Sequence, residues 1–519
     1  MSSAFGRVAA LRGALMMTGS TYAVYALGLL VSALIARDLG PDSFGHYAYL
    51  VWLSGVLGII ANNGLTTTGI RFVSESLGRD ERDAAARVQG WLWRRQLLCL
   101  VAVALGYAAT LPFIERSGWQ QEQLLLFTAL AILSMSGKSI FIFYTSMAKG
   151  HGRFELEAGI TVALGLLNAL AVALLFWRGA SLLAYLLVFT ATSLAFGVLG
   201  FVGARRANVR GAREAPQAEL LARLRPHLFW TVALVIAAAL GNKSVETYLL
   251  NLFTGSAAVG YFAIAAALTR GGVDLLSSGL STVLMPMMAH AYGAHGLAQV
   301  SRVLGNAVRI FLFFGLLLAG SAALAADLAV QVLYGSAYAP VADVFRWMVV
   351  VGGLTLCEGA FGALLSTTDH QRLRALIAAS TILLTLVLAL LWIPRFGLMG
   401  ALAAHATSRL LLMLVLVAGT RLALGLHLPW RELSRLAAAA ALAALPAVGL
   451  ALLTADPWLR FAAGVLYALL FIGFGLLLRA WRSEDADTLQ EALARLPRLQ
   501  THIGPWLQRW GQRMREREA

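Results

Sequence analysis

The sequence predicts an all-α polytopic membrane protein with about 14 transmembrane helices, and three observations carry that prediction. Of the 519 residues, 59% are hydrophobic and only 13% are charged, whereas an ordinary soluble domain has about 25% charged residues. The mean hydropathy is +0.74. The 50 glycines also fit a membrane protein, because glycine is commoner in membrane helices than in soluble ones. A soluble enzyme of two or three globular domains is therefore excluded.

Apolar segments long enough to cross a bilayer recur along the whole chain. About 20 helical residues span a hydrocarbon core of about 30 Å. The first segment follows Arg7 and Arg12 and is longer than the apolar core of a signal peptide, so we expect it to remain as a spanning helix. The predicted spans cover residues 14–36, 44–64, 97–114, 123–147, 156–177, 180–203, 227–250, 257–288, 303–325, 340–365, 373–393, 397–419, 436–454 and 458–480.

The basic residues predict the orientation. The net charge is +15, which by itself is compatible with nucleic acid, an anionic membrane surface or an anionic substrate. Loops on the side of the termini hold 30 of the 41 Lys and Arg residues, and the opposite loops hold four. Because cytoplasmic loops retain Lys and Arg, both termini are predicted to be cytoplasmic. No role for nucleic acid is needed.

The spans group into two predicted lobes. A basic, polar segment at 205–226 separates a six-helix lobe at 1–204 from a second at 227–420, and 421–482 adds two further helices. The turn Gly40 to Ala48 recurs as Gly255 to Ala263, both with the pattern G-x4-G-x-aromatic-A. Such a repeat predicts two lobes related by a pseudo-twofold axis along the membrane normal.

The C-terminal tail, 483–519, has a different pattern. Apolar residues recur at helical spacing with arginines between them, which predicts a cytoplasmic amphipathic helix on anionic inner-leaflet lipid. A solvated helix is the alternative, and Pro497 and Pro505 would interrupt either one.

Seven cations fall inside the predicted spans, where each costs about 2.5–3.5 kcal/mol unless it faces water or a partner. Snorkelling to a span end is expected for Arg309 and Arg460, and Arg346 can pair with Asp343 on one helix face. Lys138 and Arg409 lie near mid-span without a carboxylate neighbour in their own helices. The remaining two have one each: Lys243 with Glu246 and Arg270 with Asp274. A wet lumen of positive potential, suited to an anionic substrate, is predicted.

Three carboxylates lie at depth: Glu246, Asp274 and Glu358. They are the candidates for carrying a coupling proton or sodium ion. Pairing with a cation on another helix is the equally open alternative.

Catalytic patterns are missing from the sequence. Gly137-Lys138-Ser139 lacks the earlier glycine of a phosphate-binding loop, and no H-E-x-x-H or G-x-S-x-G pattern occurs. The two cysteines, Cys99 and Cys357, lie in apolar runs and imply neither a disulfide framework nor a metal site. The chain is therefore predicted not to be an enzyme and to need no metal or cofactor.

Three segments resemble the Wzx-type polysaccharide flippases of the multidrug/oligosaccharidyl-lipid/polysaccharide exporter superfamily. They are Ala33 to Tyr49, ALIARDLGPDSFGHYAY; Gly69 to Val73 with the charged loop that follows; and Ile393 to Ala401. The resemblance implies two six-helix lobes that open alternately to each side and move undecaprenyl-diphosphate-linked oligosaccharides from the inner to the outer leaflet.

The resemblance also implies which residues line the lumen and which proteins work beside it. The implied lining cations are Arg71, Lys138, Lys243, Arg270 and Arg409. The substrate would serve O-antigen, capsule or exopolysaccharide synthesis, with polysaccharide polymerase and glycosyltransferases as possible partners. Lipid-II-type flippases are usually more basic in the first span than this chain is.

Two other functions remain open at this stage. A multidrug antiporter of the same fold predicts a lumen of net negative charge, whereas cations outnumber carboxylates at depth here. A polytopic polysaccharide polymerase or ligase usually needs a large basic outer loop, and the outer loops here are short.

Overall fold

The computed structural model describes residues 7–62, 64–111, 122–241, 244–367, 371–426, 428–481 and 512. Within these ranges the chain forms sixteen α-helices and no β-strand. The all-α prediction is confirmed.

The helices are numbered in chain order. They are α1 Arg7–Asn62, α2 Leu65–Gly78, α3 Arg82–Thr110, α4 Leu124–Gly150, α5 Glu155–Trp177, α6 Leu182–Arg206, α7 Ala218–Gly241, α8 Ser244–Phe253, α9 Ser256–Thr269, α10 Leu275–Leu324, α11 Ala326–Tyr334, α12 Ala339–Leu354, α13 Glu358–Thr367, α14 Gln371–Leu424, α15 Trp430–Leu452 and α16 Pro457–Leu477. A π-helical turn, Arg270–Asp274, joins α9 to α10.

Eleven of the described helices are long and apolar enough to cross a membrane. Two of these stretches, Tyr22–Asn62 and Leu376–Leu422, are unusually long. Each contains a glycine with positive φ, Gly40 at 73° and Gly397 at 56°, which divides it into the two spans that the sequence predicts there. The chain is therefore a multi-pass membrane protein, while the number fourteen stays a prediction.

The chain separates into two compact units. Unit 1 comprises Met1–Gly271, Ala329–Met348 and Gln371–Leu412, and unit 2 comprises Gly272–Leu328, Val349–His370 and Met413–Ala519. The predicted division into six-helix lobes at 1–204 and 227–420 stays a prediction.

In unit 1 the two repeated turns share a backbone conformation and contact each other. Gly40 has φ 73° and ψ 173°, and Gly255 has φ 93° and ψ −179°, values open to glycine but strained for other residues. Gly45 approaches the Ser256 backbone, and Gly260 approaches Pro41 and Gly45. Positions 41 and 45 of the first copy correspond to positions 256 and 260 of the second. The contact of 45 with 256 is therefore matched by the contact of 260 with 41, and the packing is reciprocal. The two copies of the motif therefore pack as equivalents.

A close crossing of α4 and α6 also depends on small residues. A side chain at Gly137 would meet the backbone of Ser193, and one at Gly197 would meet the backbone of Gly137. Ser134 Oγ donates to Thr190 Oγ1 across the same interface, at 3.0 Å. Small residues let membrane helices approach closely enough for such contacts.

One end of unit 1, called the strap end below, has a well-packed apolar cluster crossed by the strap, the segment 207–217. Phe72, Trp91, Phe143 and Leu224 come from α2, α3, α4 and α7 and are all buried. The segment 207–217 lies across α3: Ala212 N donates to Ala86 O at 2.8 Å. The basic segment that the sequence predicts as a linker is thus held to the helices in this part.

Unit 2 is built around α10, α13, α15 and α16. Tyr467 and Phe471 of α16 are buried, and the Tyr467 hydroxyl donates to Leu316 O at 3.0 Å. Helix α16 begins at Pro457, and the Asp456 carboxylate accepts the Trp458 N–H at 2.9 Å, which satisfies one of the free donors of the first turn.

Candidate functional site

Lys138 lies in unit 1 at the close crossing of α4 and α6. Its Nζ is 4.3 Å from the centre of the Phe189 ring. The Tyr47 ring packs against the Phe189 ring in a T-shaped arrangement, with 6.0 Å between the ring centres. The side chain is half-buried. Among the residues that the structure describes, no carboxylate pairs with it. An ammonium group over an aromatic face is stabilised without losing its charge.

Glu246 and His405 form a buried pair in unit 1. The carboxylate lies on α8 and is 2% exposed, and its Oε1 is 3.0 Å from His405 Nδ1 on α14. Arg409, one turn further along α14, lies close enough for its charge to act on the same carboxylate. Arg409, which has no acidic neighbour in its own helix, therefore obtains one from α8.

Further polar side chains near this pair in sequence are also buried. Thr247 and Asn251 of α8 are 6% and 5% exposed, and Ser408 of α14 is 2% exposed. The Ser408 hydroxyl donates to His405 O at 3.0 Å. Both helices that carry the pair thus bury additional polar groups.

A second charged cluster occupies the strap end of unit 1. Arg71 Nη1 is 3.0 Å from His227 Nδ1, and both groups lie against the Phe72 ring. Glu75 accepts from Arg223 at 2.8 Å and from Arg79 at 2.7 Å. The Arg223 hydrogen bond, with the charges of Arg223, Arg79 and Arg71, holds the Glu75 pKa below its usual value against the opposing effect of burial. Arg71 is exposed.

The other predicted site residues lie elsewhere. Arg270 is exposed at the start of the π-helical turn, and Asp274 is exposed at its end, in unit 2. Glu358, also in unit 2, is half-buried at the start of α13, with its Oε1 out of reach of solvent. Lys243 lies outside the described residues, and so does the predicted tail at 483–519 except for Gln512. Glu246 and Arg409 are the two predicted site residues that the described structure brings together.

Snorkelling is the wrong explanation for Arg309, while for Arg460 it stays a prediction. Arg309 is 4% exposed and thus buried by protein. Arg460 pairs with Asp327 at 2.7 Å. The partner of Arg460 lies on a different helix, which span depth alone does not reveal. The pairing predicted between Arg346 and Asp343 is confirmed.

His405 and Phe189 are the residues that sequence reasoning missed. His405 precedes Arg409 by four residues and, taken alone, predicts repulsion if protonated. Its ring is paired instead with Glu246, 159 residues away. A carboxylate in one span and a histidine in another are visible signals, but their pairing depends on packing.

The chain is also similar to a known protein family. Residues 10–292, more than half of the chain, match the family described as "Polysaccharide biosynthesis protein". No curated protein sequence matches.

Solved structures resemble this chain over most of its length. One is a lipid II flippase MurJ in an inward closed conformation, with TM-score 0.71, 12% identity, and coverage of 89% of this chain and 98% of that chain. A second is an inward-facing MATE family multidrug resistance transporter of the MOP superfamily, with TM-score 0.64, 14% identity, and coverage of 78% and 94%. An outward-facing transporter of the same description has TM-score 0.53, 18% identity, and coverage of 80% and 95%. At these identities the likeness establishes the fold.

Proposed function

Because the chain belongs to the polysaccharide biosynthesis protein family, we propose that it carries a lipid-linked oligosaccharide across the membrane. Its fold, shared with a lipid II flippase and with MATE transporters, supports a flippase or transporter. The proposed substrate is an undecaprenyl-diphosphate-linked oligosaccharide, moved from the inner to the outer leaflet of the bacterial cytoplasmic membrane. The product would serve O-antigen, capsule or exopolysaccharide synthesis, beside glycosyltransferases and a polymerase.

The position of Lys138 over the Phe189 ring is the observation that carries this proposal. A cation within a span costs about 2.5–3.5 kcal/mol unless it is compensated, and here the described compensation is an aromatic face, with no carboxylate. An ammonium held in this way remains available to an anion. The diphosphate of the proposed substrate is such an anion, and the half-buried Phe189 ring beside Lys138 offers an apolar surface to a sugar ring.

Transport is proposed to proceed by alternating access, coupled to an ion through Glu246. The carboxylate is buried, and His405 offers it a group that can share a proton. Asp274 and Glu358 remain the other candidates for this role. Arg71, Lys243, Arg270 and Arg409 remain proposed lining cations beside Lys138.

The test is export of surface polysaccharide by a strain in which this chain is the sole copy. Lys138→Ala should reduce export about tenfold or more, because one charge-assisted hydrogen bond to a phosphate is worth about 1.5–3 kcal/mol. Lys149→Ala is the matched control, since Lys149 lies on the same helix and pairs with Glu157 at 2.5 Å. Export by the control should stay close to that of the unmodified protein, with equal protein levels in the membrane.

Normal export by Lys138→Ala at normal protein level would remove the lumen proposal. Drug resistance on overexpression with no glycan defect in the deletion strain would favour a multidrug antiporter. Covalent change of a lipid-linked oligosaccharide by the purified protein would favour a polymerase or ligase.

A further inference from the structure

Arg94, Arg95 and Arg225 gather at the strap end of unit 1. Leu224 of α7 is completely buried in the apolar cluster beside Trp91. Its two neighbours in sequence diverge: Arg223 binds Glu75 of α2, whereas Arg225 follows the buried Leu224 beside the cluster that contains Trp91, the ring over which Arg95 of α3 lies. The charge of Arg225 acts on Arg95, and Arg94 directly precedes Arg95 on α3. Three like charges from two helices thus border one apolar cluster.

The three arginines have no acidic partner among the described residues, unlike three other arginines at this end of unit 1. Arg223 and Arg79 share Glu75, and Arg87 pairs with Glu214 at 2.6 Å. The Arg95 guanidinium instead lies over the Trp91 ring, 3.1 Å from its centre, and Arg94 Nη1 donates to the Arg213 carbonyl of the strap. Arg94 and Arg225 are exposed and Arg95 is half-buried. Like charges gathered without a carboxylate attract an anion.

Beyond these arginines, α3 has a stripe of exposed aliphatic side chains, which indicates the environment of that anion. Leu98, Val101 and Leu105 are 69%, 58% and 66% exposed. Counted from Arg94 they are four, seven and eleven residues on, the spacing of one helix face. A stripe of exposed aliphatic residues on a membrane helix faces lipid chains. Arg94 therefore lies at one end of this stripe, where the phosphate of a lipid whose chains follow the stripe is expected.

We propose that Arg94, Arg95 and Arg225 form a binding site for the phosphate group of an anionic membrane lipid, whose acyl chains lie along Leu98, Val101 and Leu105. The guanidinium groups supply several planar N–H donors that match phosphate oxygens. The ordered strap, held to α3 by the hydrogen bond from Ala212 N to Ala86 O, bounds the site on its polar side. The site is separate from Lys138 and from the Glu246–His405 pair, and it does not depend on which substrate is transported.

The experiment titrates the purified full-length protein, in a neutral detergent, with phosphatidylglycerol, phosphatidylcholine and sodium pyrophosphate, and follows binding by native mass spectrometry. Phosphatidylglycerol should bind more tightly than phosphatidylcholine. Arg94→Gln and Arg225→Gln should each weaken its apparent affinity about tenfold, the effect of one lost charge-assisted hydrogen bond. Arg178→Gln, at the end of α5, is the control with the same charge change and should alter the affinity less than about twofold.

Both site variants replace exposed side chains, and thermal unfolding of each variant checks that the fold is retained. Equal phosphatidylglycerol affinity in all four proteins would overturn the proposal. Equal binding of phosphatidylcholine would overturn it as well, because the site requires net negative charge. If pyrophosphate binds with the same sensitivity to Arg94 and Arg225 while phosphatidylglycerol does not bind, the ligand is a soluble phosphate compound, and the lipid proposal is wrong.

Discussion

Burial of an ionised carboxylate among membrane helices is unfavourable unless partners compensate it. Glu246 is 2% exposed, and its compensation comes from His405 at 3.0 Å and from the charge of Arg409. For the charge of Lys138, the compensation comes from the aromatic ring of Phe189. The two arrangements differ in consequence: the carboxylate has a neighbour that can exchange a proton, whereas Lys138 lies over an aromatic ring without an acidic partner among the described residues.

Glu246→Gln should remove the dependence of transport on an imposed proton or sodium gradient, because an amide cannot take up the ion. Movement of substrate down its own gradient should persist. The measurement is flux of a lipid-linked oligosaccharide in proteoliposomes, with each ion gradient imposed in turn. Glu157→Gln serves as the control, since Glu157 pairs with Lys149 at a helix end. An unchanged gradient dependence in Glu246→Gln would leave the coupling role to Asp274 or Glu358.

At the scale of elements, close helix contacts in unit 1 depend on glycines, which have no side chain. In the reciprocal contact, Gly45 has no room for a β-carbon beside the Ser256 backbone, and Gly260 has only a tight space for one beside Pro41. There is likewise no room for one where Gly137 of α4 meets Ser193 of α6. Membrane helices gain little from the hydrophobic effect when they associate, so packing at short range and interhelical hydrogen bonds must hold them together.

Gly45→Ala should destabilise the protein by about 1–3 kcal/mol, because the added methyl group overlaps backbone atoms of Ser256 that cannot move independently. Gly55→Ala is a matched control on the same helix, since no atom lies within 4 Å of the position of its β-carbon, and it should leave stability equal or slightly higher. The thermal unfolding midpoint in detergent measures both. Equal midpoints for the two variants would contradict the role given to the close contact.

At the scale of the whole molecule, the prediction concerns the two sides of the membrane. The 30 to 4 distribution of loop cations follows from the cost of translocating Lys and Arg. It predicts a cytoplasmic strap, which contains Arg210, and an outer turn between α5 and α6, which contains Ser181. Both side chains are exposed, so each can report its own side of the membrane.

The check is labelling of introduced cysteines in a variant whose two free thiols, Cys99 and Cys357, have been replaced. A membrane-impermeant maleimide should label Ser181→Cys in intact spheroplasts, and it should label Arg210→Cys only after the membrane is opened. The reverse pattern would invert the proposed orientation and, with it, the direction of transport. Labelling of both positions in intact spheroplasts would contradict the span count between them.

Local signals predicted much of the fold. The helical class, the polytopic character and the repeated glycine turns depend on composition, hydropathy and backbone freedom, which act over a few residues. The pairing of side chains between helices did not follow, because it depends on contacts between residues far apart in sequence. The snorkelling expected for Arg309 failed for a related reason, since depth in one span does not reveal which other helices cover it.

From the sequence alone come the membrane class, the loop charge bias, the family resemblance and the candidates Lys138, Glu246 and Arg409, because hydropathy and residue chemistry are properties of short segments. Only tertiary structure decided that Glu246 meets His405, that Lys138 lies over Phe189, and that the cluster beside Arg225 contains the Trp91 ring under Arg95. These partners are separated by dozens to more than a hundred residues. Their contacts are set by how whole helices pack, and no local pattern in the chain encodes that packing.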